Sequence, residues 1–177
     1  MLDFNNTQIA FSSKSNGELR NAQLLFTAIA HPSLVKCAKV ASNFALKIHF
    51  PVSWAVKPTL YKQFVGGETL QDCLPVIEHL KKYNVKSTLD FSAESEQTPE
   101  GIQATFEETL RSIDFARGND NLAYTVFKPS TITTDDLLAK ASEKREPLTE
   151  AEKAEYEEFK KRFFALCQRA YDNDVRI

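Results

Sequence analysis

Residues 64–94 read FVGGETLQDCLPVIEHLKKYNVKSTLDFSAE, and this stretch decides the fold. Gly66-Gly67 is a break in the chain. Residues 69–83 follow as an amphipathic helix. Thr69 with Asp72 three positions on approximates a capping box, in which a hydroxyl accepts from a free backbone N–H of the first turn. Leu70, Cys73, Leu74, Ile77 and Leu80 then recur at spacings of three and four, so they share one face. Pro75 is discordant, because inside a helix it removes a hydrogen bond. Asn84 suits a left-handed helix end. Residues 85–91 alternate as a strand that carries Asp90 to its C-terminal end. A helix, a short turn and a strand tipped by a polar residue form the repeating unit of an α/β barrel or doubly wound sheet.

Downstream the unit recurs. Thr98-Pro99-Glu100 opens a helix with a cap, a proline at the first position and an acid. Ile102, Phe106, Leu110 and Ile113 form its core-facing stripe. A turn at residues 118–121 leads to a second strand at 122–127, apolar on both faces as befits a buried parallel strand. Residues 131–147 read as a polar loop excursion around Leu137-Leu138. Thr149 with Glu152 is another capping box. It opens a long helix whose stripe is Tyr156, Phe159, Phe163, Leu166 or Cys167, and Ala170. Its Glu/Lys run reads as a solvated face. Residues 175–177 read as the beginning of a third strand.

Upstream the pattern is helical. Residues 1–16 read as an irregular arm. Leu19, Ala22, Phe26 and Ile29 mark a first helix that stops at His31-Pro32. Ser33 is expected to cap a second helix, closed by Pro51. A third short helix starts at Ser53 and ends near Lys57-Pro58. The fold class expected is therefore α/β: a helical N-terminal arm over residues 1–63, then the first units of an incomplete (β/α)8 barrel over residues 64–177. A complete barrel needs about 250 residues. The 177 residues are accordingly expected to be the first part of a longer barrel; a complete small α/β domain is the alternative.

Asp90 and Lys128 are the candidate site residues. Both stand at the C-terminal ends of consecutive strands, where barrel enzymes place their chemistry. Composition narrows the rest. Net charge is −2, which points to neither nucleic acid nor an anionic membrane surface. The three cysteines, Cys37, Cys73 and Cys167, include no C-x-x-C, so neither a zinc site nor a disulfide framework is expected. The histidines have no metal-ligand spacing, and no metal is expected. Trp54 and the phenylalanines read as packing residues. The N-terminus has neither signal-peptide nor transit-peptide character, and no apolar run approaches a membrane span. A cytoplasmic location is expected.

Three motifs in order resemble the proline dehydrogenase family. They are the Phe-Val-x-Gly-Glu-Thr opening at residues 64–69 with its strand ending Leu89-Asp90, the segment LAYTVFKPSTIT at 122–133, and CQRAYDNDVRI at 167–177. The last is similar to the segment before an acidic Ile-Asp-Ala-Glu run in relatives. The helical arm is similar to that of the bacterial single-function members. The resemblance implies oxidation of L-proline to 1-pyrroline-5-carboxylate, with hydride transfer to FAD. It implies that Lys128 clamps the substrate carboxylate, together with arginines that have no counterpart in this chain. Asp90 would stand beside substrate or lysine. A quinone acceptor and a peripheral position at the bacterial inner membrane are also implied. No Gly-x-Gly-x-x-Gly occurs, so FAD rests on the resemblance alone. Two other readings compete: a barrel lyase in which Lys128 forms a Schiff base, and a non-catalytic interaction module built on the long acidic helix.

Overall fold

The computed structural model describes residues 5–91, 97–143 and 147–177. Parts of the expected arm, of the polar stretch after Phe91 and of the expected excursion lie outside them. The chain is mostly helical with one small parallel sheet, and it divides into two compact units, Met1–His79 and Leu80–Ile177.

The first unit holds α1 (Thr7–Ala10), α2 (Asn16–Ile29), α3 (Pro32–Lys47), α4 (Ser53–Val56), a π-helical turn (Lys57–Tyr61) and α5 (Lys62–Phe64). Part of the expected irregular arm is thus helical: Asn6 caps α1 by accepting from the Ile9 N–H at 3.0 Å. α2 starts earlier than its apolar stripe. Ser15 and Glu18 exchange hydrogen bonds in a full capping box, which the sequence reading overlooked. Ser33 is not the cap of α3. His31 holds that position without a side-chain bond, and Pro32 takes the first helical site, where its missing N–H costs nothing. The helix expected to stop near Pro58 instead runs on to Phe64 through the π turn, whose wider spacing accommodates the proline. Trp54 is not packed but 70% exposed.

α6 (Leu70–Lys81) begins where expected. The Thr69 N–H donates to Asp72 Oδ2 at 3.0 Å and the Asp72 N–H to Thr69 Oγ1 at 3.2 Å. Pro75 lies inside it. Asn84 adopts φ 58°, and the Val85 N–H reaches the Leu80 carbonyl at 3.1 Å, closing the helix as a left-handed cap.

The second unit contains β1 (Ser87–Asp90), α7 (Pro99–Ala116), β2 (Leu122–Val126), a 3-10 turn (Pro129–Thr131), α8 (Asp135–Glu143) and α9 (Glu150–Asp172). Thr98 caps α7 by accepting from Gly101, with Pro99 in the first turn. β1 and β2 pair in parallel, with Thr88 opposite Tyr124, Leu89 opposite Thr125 and Asp90 opposite Val126. Paired residues point to the same face. Leu89 and Thr125 are buried on one face, against which α7 packs. Tyr124, on the other, is 46% exposed, and Thr88 and Asp90 are exposed with it. This corrects the expectation of a strand buried on both sides: among the described residues helices cover one face only.

The core is Ile113, Ile132, Phe159, Leu166 and Ala170, flanked by Phe106, Phe127 and Phe163. α8 replaces most of the expected loop excursion. Thr131, Ile132 and Thr133 ahead of it are buried, so this segment passes through the core. Its start was readable: the Leu137 N–H donates to Thr134 Oγ1 at 3.3 Å, and Asp135 and Asp136 fill the first turn. The expected third strand is present as one hydrogen bond, from the Thr125 N–H to the Arg176 carbonyl at 3.0 Å. That sets residues 175–177 beside β2 without a repeated ladder.

α9 opens on the expected capping box, and its acidic run is more than a solvated face. Lys140 of α8 donates to Glu152 at 2.8 Å, while Glu152 also accepts from the Thr149 N–H at 2.7 Å. These donors, Lys140 foremost, hold the Glu152 carboxyl down to about 2 from an ordinary 4.5. A depressed carboxylate contributes stability above its ordinary value and loses it as pH falls toward the folded value. The melting difference between the native chain and Glu152→Gln is therefore expected to be full above pH 4.5 and to vanish as pH approaches 2. A difference that ignores pH would rule this linkage out.

Candidate active site

β1 and β2 end side by side, and their register sets the site. Asp90 pairs with Val126, so Lys128 follows two residues beyond its partner and points to the same face. Lys128 Nζ stands 3.6 Å from Asp90 Oδ2, and the two side chains are 44% and 46% exposed. Both predicted site residues are thus brought together. The backbone behind the lysine is held: its carbonyl accepts from the Thr131 N–H at 2.9 Å and from Thr131 Oγ1 at 2.8 Å, and Pro129 restricts the chain between them.

The pair adds little to stability. An exposed ion pair contributes about 0–1 kcal/mol, and 3.6 Å is beyond hydrogen-bond reach. What it offers is an accessible cation and an accessible carboxylate a few ångströms apart on the sheet face that no described helix covers. Such a pair is complementary to a zwitterion, a carboxylate meeting the lysine and an ammonium group the aspartate. Tyr124, missed by sequence reasoning, shares this face below Lys128; its signal was the strand's period of two.

The described residues hold no cluster suited to a metal ion. The sequence has no glycine-rich phosphate loop, and the charged pair suits a small zwitterion. A depression of about 670 Å³ lies at the opposite end of the strands, lined by Lys86, Arg117, Asp120 and Arg176 among others.

Comparison with known proteins identifies the kinship. The chain is 33% identical over 113 residues to proline dehydrogenase 1, mitochondrial, of Bos taurus, covering 63% of this chain and 19% of the relative. It is 35% identical over 117 residues to the Caenorhabditis elegans protein of that name, covering 65% and 18%. The chain is related to the proline dehydrogenases. Another relative, the carbapenem antibiotics biosynthesis protein CarD of Pectobacterium carotovorum, is 29% identical over 114 residues, 64% of this chain and 30% of CarD. The chain spans about a fifth of the length of the proline dehydrogenases it matches. No family model matches it, and no solved structure does.

Proposed function

We propose that the protein carrying this chain is a proline dehydrogenase that oxidises L-proline to 1-pyrroline-5-carboxylate. Residues 1–63 would serve as its helical arm and residues 64–177 as the first units of its (β/α)8 barrel. The observation that carries this reading is the Asp90–Lys128 pair, at the C-terminal ends of neighbouring parallel strands in a chain related to the proline dehydrogenases. Lys128 binds the carboxylate of proline, and Asp90 faces its ring nitrogen and holds the cation in place. Both act by positioning and electrostatics. FAD is the hydride acceptor that this reading requires, and a quinone the onward one. A cytoplasmic protein peripheral to the inner membrane belongs to the same proposal.

The full-length protein with Lys128→Met is the test. A charge-assisted hydrogen bond contributes about 1.5–3 kcal/mol, so kcat/KM for proline is expected to fall about 10- to 100-fold, chiefly through KM. Lys128→Arg should recover part of it, since the guanidinium also binds carboxylates. Unchanged kinetics in the methionine variant would remove Lys128 from the site. A covalent adduct at Lys128, trapped by borohydride with a carbonyl substrate, would point to Schiff-base chemistry instead.

A further inference from the structure

We infer that the cavity between α2 and the π turn binds a small organic anion, one acidic head on an aliphatic body, at a site that shares no residue with the Asp90–Lys128 pair. The net charge of −2 conceals a partition. Residues 14–64 carry seven basic side chains against one carboxylate, Glu18, so the remaining sequence holds the acidic excess. The cavity lies within this basic stretch, wholly inside Met1–His79, and its volume of about 390 Å³ is that of a small-ligand site. One wall is α2, where Glu18, Asn21, Ala22 and Leu25 fall on one arc of the helix at 100° per residue. The other is the π turn and α5, which supply Pro58, Thr59, Lys62 and Gln63. The walls are joined: α2 packs on the π turn, and the Phe26 and Phe64 rings meet edge to face with centroids 6.0 Å apart.

The lining names the ligand class. Two ammonium groups, Lys14 and Lys62, stand around one carboxylate, Glu18. That carboxylate is already committed, because its Oε2 accepts from the Ser15 N–H at 2.9 Å and from Ser15 Oγ at 2.8 Å. The Ser15 bonds foremost, with Lys62 and Lys14 at longer range, hold it below the ordinary carboxylate range. Two cations against one anion leave a single positive charge unmatched in the cavity. The Asn21 and Gln63 amides line it as well, and neither they nor the two lysines make a side-chain hydrogen bond or ion pair among the described residues. An acidic head would meet those donors. Ala22, Leu24, Leu25 and Pro58 supply an aliphatic surface for its body. Among the described residues no aromatic ring lines the cavity, so a base or aryl group would have nothing to stack on. The π turn is an independent pointer, since such turns occur frequently at functional sites and this one forms a wall. The inference does not depend on the flavin reaction, and its test reads no activity.

The test titrates the intact chain, followed by amide NMR, with hexanoate and with hexyl phosphate. Hexanamide keeps the aliphatic body without the charge; acetate and inorganic phosphate keep the charge without the body. At least one of the two hexyl anions should shift the amides of Leu24, Leu25, Lys62 and Gln63 along a saturable curve. Hexanoate binding more tightly assigns a carboxylate head, hexyl phosphate a phosphate head. Hexanamide and the bodiless anion should each bind at least about tenfold more weakly than the preferred ligand. Combining Lys14→Gln with Lys62→Gln should weaken that ligand by at least about tenfold and leave hexanamide unchanged. Both lysines are exposed, and helical circular dichroism checks that the variant folds; the comparison of charged and neutral ligands on the unaltered chain stands without it. No saturable shift with either hexyl anion, shifts confined to other residues, hexanamide binding as tightly as the anions, a bodiless anion binding as tightly as its hexyl counterpart, or a folded double variant that binds as before would each overturn the proposal.

Discussion

Replacing Gly67 by alanine is expected to destabilise the chain by about 1–3 kcal/mol, the usual cost of forcing extra atoms into a closed site. An added Cβ would lie 2.7 Å from Asp72 Cβ and 2.8 Å from both the Asp72 carbonyl carbon and the Cys73 nitrogen. Two of those atoms are backbone in the first turn of α6. That turn is already tied by the reciprocal Thr69–Asp72 bonds, so it has little room to yield. The neighbouring glycine is the control. A Cβ on Gly66 would meet only Cys73 Sγ at 3.6 Å, an ordinary contact, and Gly66→Ala should change stability by no more than about 0.5 kcal/mol. Denaturant unfolding of both variants decides it. Equal stability would show that the chain does not approach α6 so closely.

The second large effect is in the core. Leu166→Ala removes a side chain with 0% exposure from among Ile113, Ile132, Phe159 and Ala170. The lost transfer energy and the cavity left behind together cost about 2–5 kcal/mol. Against a typical total of about 5–15 kcal/mol, this is enough to populate the unfolded state on mild heating. Phe164, two residues earlier on α9, is 67% exposed. Phe164→Ala should cost less than about 1 kcal/mol despite deleting a larger side chain. Thermal melts of the two variants separate burial from size. Similar losses would mean that α9 is rotated from the orientation described.

How much of this was legible in advance depends on how local each signal is. The starts of α6, α7 and α9 were readable because their caps lie within four residues: Thr69 with Asp72, Thr98 with Pro99, Thr149 with Glu152. The Asn84 helix end is equally local. α8 was read as loop because its short apolar piece has few turns over which to show a period. The buried Thr131–Thr133 run is polar by composition, and only tertiary packing places it inside. The π turn at Lys57–Tyr61 is likewise invisible to a rule that ends helices before proline. For the site, parallel pairing of β1 and β2 is what brings Asp90 to Lys128, and the alternation of helix and strand had implied it. The half-exposure of the pair was not legible, because it depends on what covers the sheet. Net charge alone does not show where the charges fall, because opposite excesses in two stretches cancel in the total.

The hydrogen bond from Thr125 to Arg176 has a kinetic consequence. It joins residues separated by α8 and α9, just as the β1–β2 pairing joins residues separated by α7. Neither can form until the intervening helix has folded back. The self-capped helices can appear within microseconds, whereas each parallel contact waits on closure of a long loop. Leu80–Ile177 should therefore fold more slowly than an all-helical unit of its size. During that wait β2 presents unpaired backbone groups to any neighbouring chain, and the bond to Arg176 satisfies one of them once it forms.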